Sequence, residues 1–99
     1  MFVAPPSVVP VQPTSLTATV ASGIVTLQWA APGSGAAPTS YSIEVGTAPS
    51  LSNVLVLNTG TTATAISGPV PPGRYYMRVR TRAGTRVSPP SNEVMIDVP

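Results

Sequence analysis

The chain has no cysteine, no histidine and no lysine, and its 99 residues carry only five arginines and three acids. Each absence removes a class of function. Without cysteine and histidine there is no disulfide and no thiolate or imidazole ligand, so no metal or cofactor site is expected. The glycines of Gly33-Ser34-Gly35 run into Ala36-Ala37-Pro38 rather than a lysine-bearing helix, so a phosphate loop is not expected either. A net charge of +2 is too weak a field for a nucleic-acid face. No apolar run approaches the ~20 residues of a membrane helix, so membrane insertion is not expected. Met1-Phe2-Val3-Ala4 leads straight into Pro5-Pro6, which leaves no signal-peptide pattern within this segment.

Charge stands at 8%, where roughly 25% is usual in soluble domains. A surface this poor in charge is either hydroxyl-rich and neutral or partly hidden in an assembly. Thirteen prolines and eight glycines cut the chain into short pieces, as an all-β domain with many turns requires. A single domain of this length buries roughly 60–70% of its unfolded surface and, lacking disulfides, must hold together by core packing.

The most strongly patterned stretch is Gly73 to Arg82. Tyr75, Met77, Val79 and Thr81 form one face; Tyr76, Arg78, Arg80 and Arg82 form the other. That is a strand with one buried and one wet side. Shorter alternating runs precede it: Leu16 to Val20, Val25 to Trp29 and Tyr41 to Val45, with Ser22-Gly23 as a turn between the first two. Thr64 to Ile66 and Val94 to Val98 read as further strands, and Arg82 to Pro90 as a loop. The predicted core is Leu16, Leu27, Trp29, Tyr41 and Ile43 from the first half. Ile66, Tyr75, Met77, Val79, Val94 and Ile96 complete it from the second. Trp29 shares a face with Val25 and Leu27, which favours a core position over a sugar-stacking one. Seven strands with alternating faces predict an antiparallel two-sheet β-sandwich.

Two stretches break the alternation. Val54-Leu55-Val56-Leu57 is apolar at every position, although an outer strand normally carries charge to discourage pairing. Either its own loops cover it, or a partner chain does. Residues 1–12 form a proline-rich arm or linker ahead of a domain spanning 13–99. The arm's other residues are mostly apolar, with Phe2, Val3, Val8 and Val9 prominent. Proline restricts it to extended geometry. These apolar arm residues and the Val54–Leu57 run are candidate interaction residues. The arm is read as able to dock on a neighbouring copy, head to tail, with a spacer role as the simpler alternative.

The charges also cluster. With the strands in one sandwich, Glu44, Arg78, Arg80, Arg82, Glu93 and Asp97 all point outward from one sheet, with Tyr76 among them. Mutual ion pairing would explain the row, with Glu44 and Asp97 the acids whose parity matches the arginines. The alternative is an Arg/Tyr binding face formed by Tyr76, Arg78, Arg80 and Arg82. Catalysis is not expected. Glu93 and Asp97 on one strand would stand roughly 13 Å apart at Cα, too far for concerted acid–base work.

From about Pro13 to Val98 the order and spacing of these residues resemble a fibronectin type III domain. Pro13 and Leu16 match strand A, and Leu27 and Trp29 match strand B. Tyr41, Ile43 and Val45 match strand C. Ile66-Ser67-Gly68 with Val70 before Pro72-Gly73 matches the end of E; Tyr75, Met77 and Val79 match F; Ser91-Asn92-Glu93-Val94 matches the entry to G. The resemblance implies an immunoglobulin-like sandwich with A, B and E in one sheet and C, C′, F and G in the other. It also implies that Tyr75 is a corner tyrosine bonded to the preceding turn. Gly84 lies between Ala83 and Thr85, so the Arg-Gly-Asp adhesion motif of some animal members does not carry over. The composition looks more like a bacterial or phage member.

The resemblance implies a non-catalytic extracellular or surface module that serves structure or protein interaction; the apolar arm, which lies outside the resemblance, adds the expectation of self-assembly. Its partners would be proteins, either further copies or adjacent domains. Two alternatives stand beside it. One is a spacer or weak polysaccharide-binding domain of a secreted polysaccharide-degrading enzyme; the other is a decoration of a virion surface.

Overall fold

A computed structural model describes residues 9–99, and every regular element among them is a strand. β1 (Thr14–Ala21), β2 (Ile24–Ala30) and β5 (Ala65–Pro69) form one sheet in the order β1-β2-β5. β3 (Ser40–Gly46), β4 (Leu55–Asn58), β6 (Gly73–Ala83), β7 (Arg86–Pro90) and β8 (Val94–Val98) form the other. Every pairing is antiparallel. The sheets are the two expected from the resemblance. The last strand position is split: β7 and β8 both lie along β6, on the side away from β3. Seven strand positions are therefore filled by eight segments.

The core follows the period-two pattern. Leu16, Val25, Leu27 and Trp29 from the first sheet meet Tyr41, Ile43, Val45, Met77, Val79, Ile96 and Val98 from the second, all buried. Trp29 and Tyr41 meet edge to face with centroids 5.2 Å apart, a favoured aromatic geometry. Val25, Val45 and Val98 join the residues named from sequence. Ile66, Tyr75 and Val94 are only partly buried and pack against the core from its margins. Tyr75 is held at the margin by its own hydroxyl, which donates to the Pro71 carbonyl at 2.8 Å. The polar tip must reach that turn, so the ring cannot sink fully into the interior.

The Arg82–Pro90 segment is not a loop, contrary to its proline and glycine content. β6 continues to Ala83, which pairs with Arg86 across a two-residue turn at Gly84 and Thr85. Gly84 has φ +62° and Thr85 does not share the positive sign, the pattern of a II′ hairpin turn that favours glycine first. Pro89 and Pro90 then remove two N–H groups from an outermost strand, where proline is tolerated. Serine hydroxyls repair the ladder. Ser88 Oγ accepts from the buried Thr81 amide at 2.8 Å, and Ser91 Oγ accepts from the Val79 amide at 3.0 Å. Between them the pairing with β6 shifts register.

Asn92 closes this side of the sandwich. Its Oδ1 accepts from the Leu16 amide at 2.9 Å and its Nδ2 donates to the Leu16 carbonyl at 3.0 Å. The contact falls where β1 changes register between Thr14 and Thr17, so a side chain satisfies backbone groups that β2 leaves unpaired.

Candidate functional site

The outward row on β6 begins one position earlier than expected, at Arg74. Glu44 on β3 lies directly across from Arg78. Its carboxylate accepts from Arg78 Nε at 2.6 Å and from Arg80 Nε at 2.8 Å. Arg82 reaches diagonally to Ser42 Oγ at 3.1 Å. Burial opposes ionisation of Glu44, but the two guanidinium hydrogen bonds outweigh it and hold the carboxyl below its ordinary range. The side chains of Glu44, Arg78 and Arg80 are 12%, 14% and 26% exposed, low for the outer face of a sheet.

Asp97 does not join this group. It lies opposite Arg74 and pairs with it at 2.8 Å in open solvent. Parity matched Asp97 to the arginines, but register decides which arginine, and β8 reaches only the start of β6. Glu93 precedes β8 and accepts from the Ser50 amide at 2.9 Å, tying down the β3–β4 connection. Tyr76 is half-buried within the row. The row is thus a partly compensated network: Arg78 and Arg80 share the one carboxylate of Glu44, Arg82 turns to a serine hydroxyl, and positive charge is left in excess.

The other candidate stretch is laid out differently. Leu55 pairs with Val45 and Leu57 with Ile43, so both leucines face the space between the sheets while Val56 faces out. Val54 lies just before β4 and donates its amide to the Val45 carbonyl at 3.0 Å. Val54, Leu55, Val56 and Leu57 are 46%, 46%, 59% and 39% exposed. The chain's own loops therefore do not cover this strand, which sets aside the first account of its apolar sequence. Among the described residues β4 has β3 as its one strand neighbour, and β5 has β2 as its one.

Between β4 and β5 the sandwich stays open. A groove of about 220 Å³ lies there, walled by Leu55 and Leu57 on one side and Ile66 to Val70 on the other, with Val25, Val45 and Met77 at its floor. A second hollow of about 190 Å³ shares Leu55, Pro69 and Val70 and runs on past Val54 to Pro71 and Tyr75. Among the described residues no charged side chain lines either hollow. Sequence reasoning missed the contributions of Pro69, Val70 and Val45 to this site. The available signal was an apolar end to β5 facing a strand without a polar side.

Of the arm residues, Val9 is exposed, while Phe2, Val3 and Val8 lie outside the described residues. The Val9 carbonyl accepts from the Ala36 amide at 3.0 Å, and Pro10 is buried. A side chain at Gly35 would strike Val11 and the Val9 carbonyl at 2.6 and 2.8 Å, so glycine admits this close approach. The described end of the arm is therefore seated against the β2–β3 connection of its own domain.

No family model matches the sequence, and no curated protein matches it. Solved structures do match. The FN1–FN3 domains of chicken CNTN1 superpose with a TM-score of 0.74 at 17% identity, over 91% of this chain and 32% of that one. A Fn3-like protein from Clostridium thermocellum gives 0.68 at 26% identity, over 88% and 91%. Domains d3–d4 of the rat CD45 extracellular region give 0.69 at 17% identity, over 91% and 50%. The chain thus spans about half of the CD45 chain and about a third of the CNTN1 chain. It has the fibronectin type III fold, whose domains are generally non-catalytic protein-interaction modules.

Proposed function

We propose that this fibronectin type III-fold chain is a non-catalytic structural and protein-interaction module of an extracellular or cell surface, and that it joins further copies of itself through its N-terminal arm. The observation that carries this reading is the uncharged, uncovered β4 edge beside an open apolar groove. Natural sheets guard such an edge with charge, proline or a covering segment, because its free backbone groups and side chains invite association. Here the same sequence supplies an uncharged apolar arm. Scarce surface charge removes a further deterrent to self-contact.

The carboxylates argue for the non-catalytic part. Glu44 is held by two arginines, Asp97 by one and Glu93 by a backbone amide. None is paired with another acid in a cleft, the arrangement that general acid–base hydrolysis uses. The likeness to the rat CD45 extracellular region supports a place outside the cell.

Light scattering of the intact chain and of a form lacking residues 1–12 tests the reading over a wide concentration range. The intact chain should grow in mass with concentration and the shortened one should stay monomeric. A monomeric intact chain, or equal association by both forms, overturns it.

A further inference from the structure

We propose that the groove between β4 and β5 is the receptor for the arm, and that Phe2 of a second copy seats in it as the anchor, with Val3 beside it. This rests on the self-association reading above and adds the acceptor, the anchor and the polarity of the assembly.

The groove fits an aromatic ring. Dry apolar cavities of about 150 Å³ take up benzene, so about 220 Å³ holds a phenylalanine side chain with room for an aliphatic neighbour. Its walls are hydrocarbon: Ser67 is the one polar residue among those lining it, and its hydroxyl is turned away to Thr26 on the outer face at 2.8 Å. The eight residues before Val9 carry no charged side chain and include the chain's single phenylalanine. Pro5 and Pro6 have no N–H to give a strand ladder, so recognition falls to side-chain insertion rather than a full added strand.

Topology sets the direction. Val9 leaves the domain beside Ala36, at the end where β1 starts opposite Ala30 and β3 starts opposite Arg82. The groove lies toward the other end, where Val45 meets Leu55 and Pro69 meets Ile24. It also lies on the other edge, since β1 and β5 flank β2 on opposite sides. Eight extended residues span about 25 Å. To reach its own groove, an arm must descend five residues of strand, about 17 Å, and cross two strand spacings, about 10 Å. These perpendicular legs combine to about 20 Å, so an arm folded back would bring only its first one or two residues to the rim of its own groove, without the length to seat Phe2 and Val3 together. A copy stacked end to end brings its groove beside the arm's root. Donor and receptor are different patches at opposite ends, so the contact is heterologous and repeats into a filament.

Because the chain has no cysteine, paired cysteine variants report the contact directly. Val3→Cys with Leu55→Cys, whose side chain faces into the groove, should give, on oxidation, a ladder of linked dimers, trimers and larger species. Val3→Cys with Thr19→Cys, exposed on the outer face of β1 at the far edge from the groove, should give no such ladder. Phe2→Ala and Leu57→Asp should each weaken association at least tenfold by light scattering, with Phe2→Ala at a position outside the described fold. Association that needs residues 1–12 yet ignores Phe2→Ala, Leu57→Asp and the cross-link pattern overturns the groove and leaves the arm reading standing. A concentration-independent link within one chain overturns the head-to-tail polarity. An intact chain that stays monomeric overturns both.

Discussion

The two edges of this sandwich are built to opposite ends. On the β1–β8 side, Asn92 bonds both backbone groups of Leu16, and Ser88 and Ser91 supply acceptors that proline-containing β7 cannot align. Polar groups that would be orphaned are met one by one, and the sheets are drawn together. On the β4–β5 side no side-chain hydrogen bond among the described residues joins the two strands, and four successive apolar residues stand well exposed. The difference shows that openness in a small β-domain is local. The same core serves both edges, and a few hydrogen bonds decide which edge closes.

The largest expected effect tests the shared core. Trp29→Ala should cost roughly 3–5 kcal/mol, because a buried ring leaves a cavity against Tyr41 that strands cannot collapse to fill. Denaturant titration measures it, and a loss below about 1 kcal/mol would mean that the two edges do not share one core. Next come the closing hydrogen bonds. Ser88→Ala, Ser91→Ala and Asn92→Ala should each cost roughly 1–3 kcal/mol, since each strands a backbone amide away from water. Their effect should be on stability alone, with self-association unchanged.

Glu44 sharpens the comparison through pH. Its carboxyl titrates in the fold below the ordinary value of 4.5, so its contribution is complete above that value and is lost as pH falls through the lowered one. Glu44→Gln should flatten that acid limb and cost about 1 kcal/mol at neutral pH, between the ranges for exposed and buried pairs. Trp29 fluorescence followed across an acid titration reads both. Smallest is the open edge. Leu57→Ser should change monomer stability by about 1 kcal/mol or less, because the side chain is already 39% exposed. The same change should markedly reduce association, so the closed edge governs folding and the open edge governs partnership.

Much of this was legible in the chain. Alternation in Val25–Trp29, Tyr41–Val45 and Tyr75–Thr81 marked the core faces, since a strand's side-chain period is two and its buried face must be apolar. Turn chemistry marked Ser22-Gly23. It misled at Arg82–Pro90, where prolines and a glycine read as loop. An edge strand tolerates those prolines when hydroxyls replace the missing alignment, and composition does not reveal such a replacement. The row on β6 was visible by parity, and so was Glu44 as one of its acids, but the place of Asp97 was not. Parity says which face a residue occupies; register says whom it meets, and register assigned Arg74 to Asp97 and left Glu44 to Arg78 and Arg80.

By itself, then, the sequence determined the all-β class, the two faces of each strand, the absence of thiol and imidazole chemistry, and the anomaly of an apolar Val54–Leu57 run. Those are properties of short windows and of composition. Only the tertiary structure decided that this run borders an open groove, that Leu55 and Leu57 face into it, and that the arm is rooted at the opposite end. Each of those facts depends on which distant segments become neighbours, and long-range pairing is set by the packing of the whole chain rather than by any stretch of it.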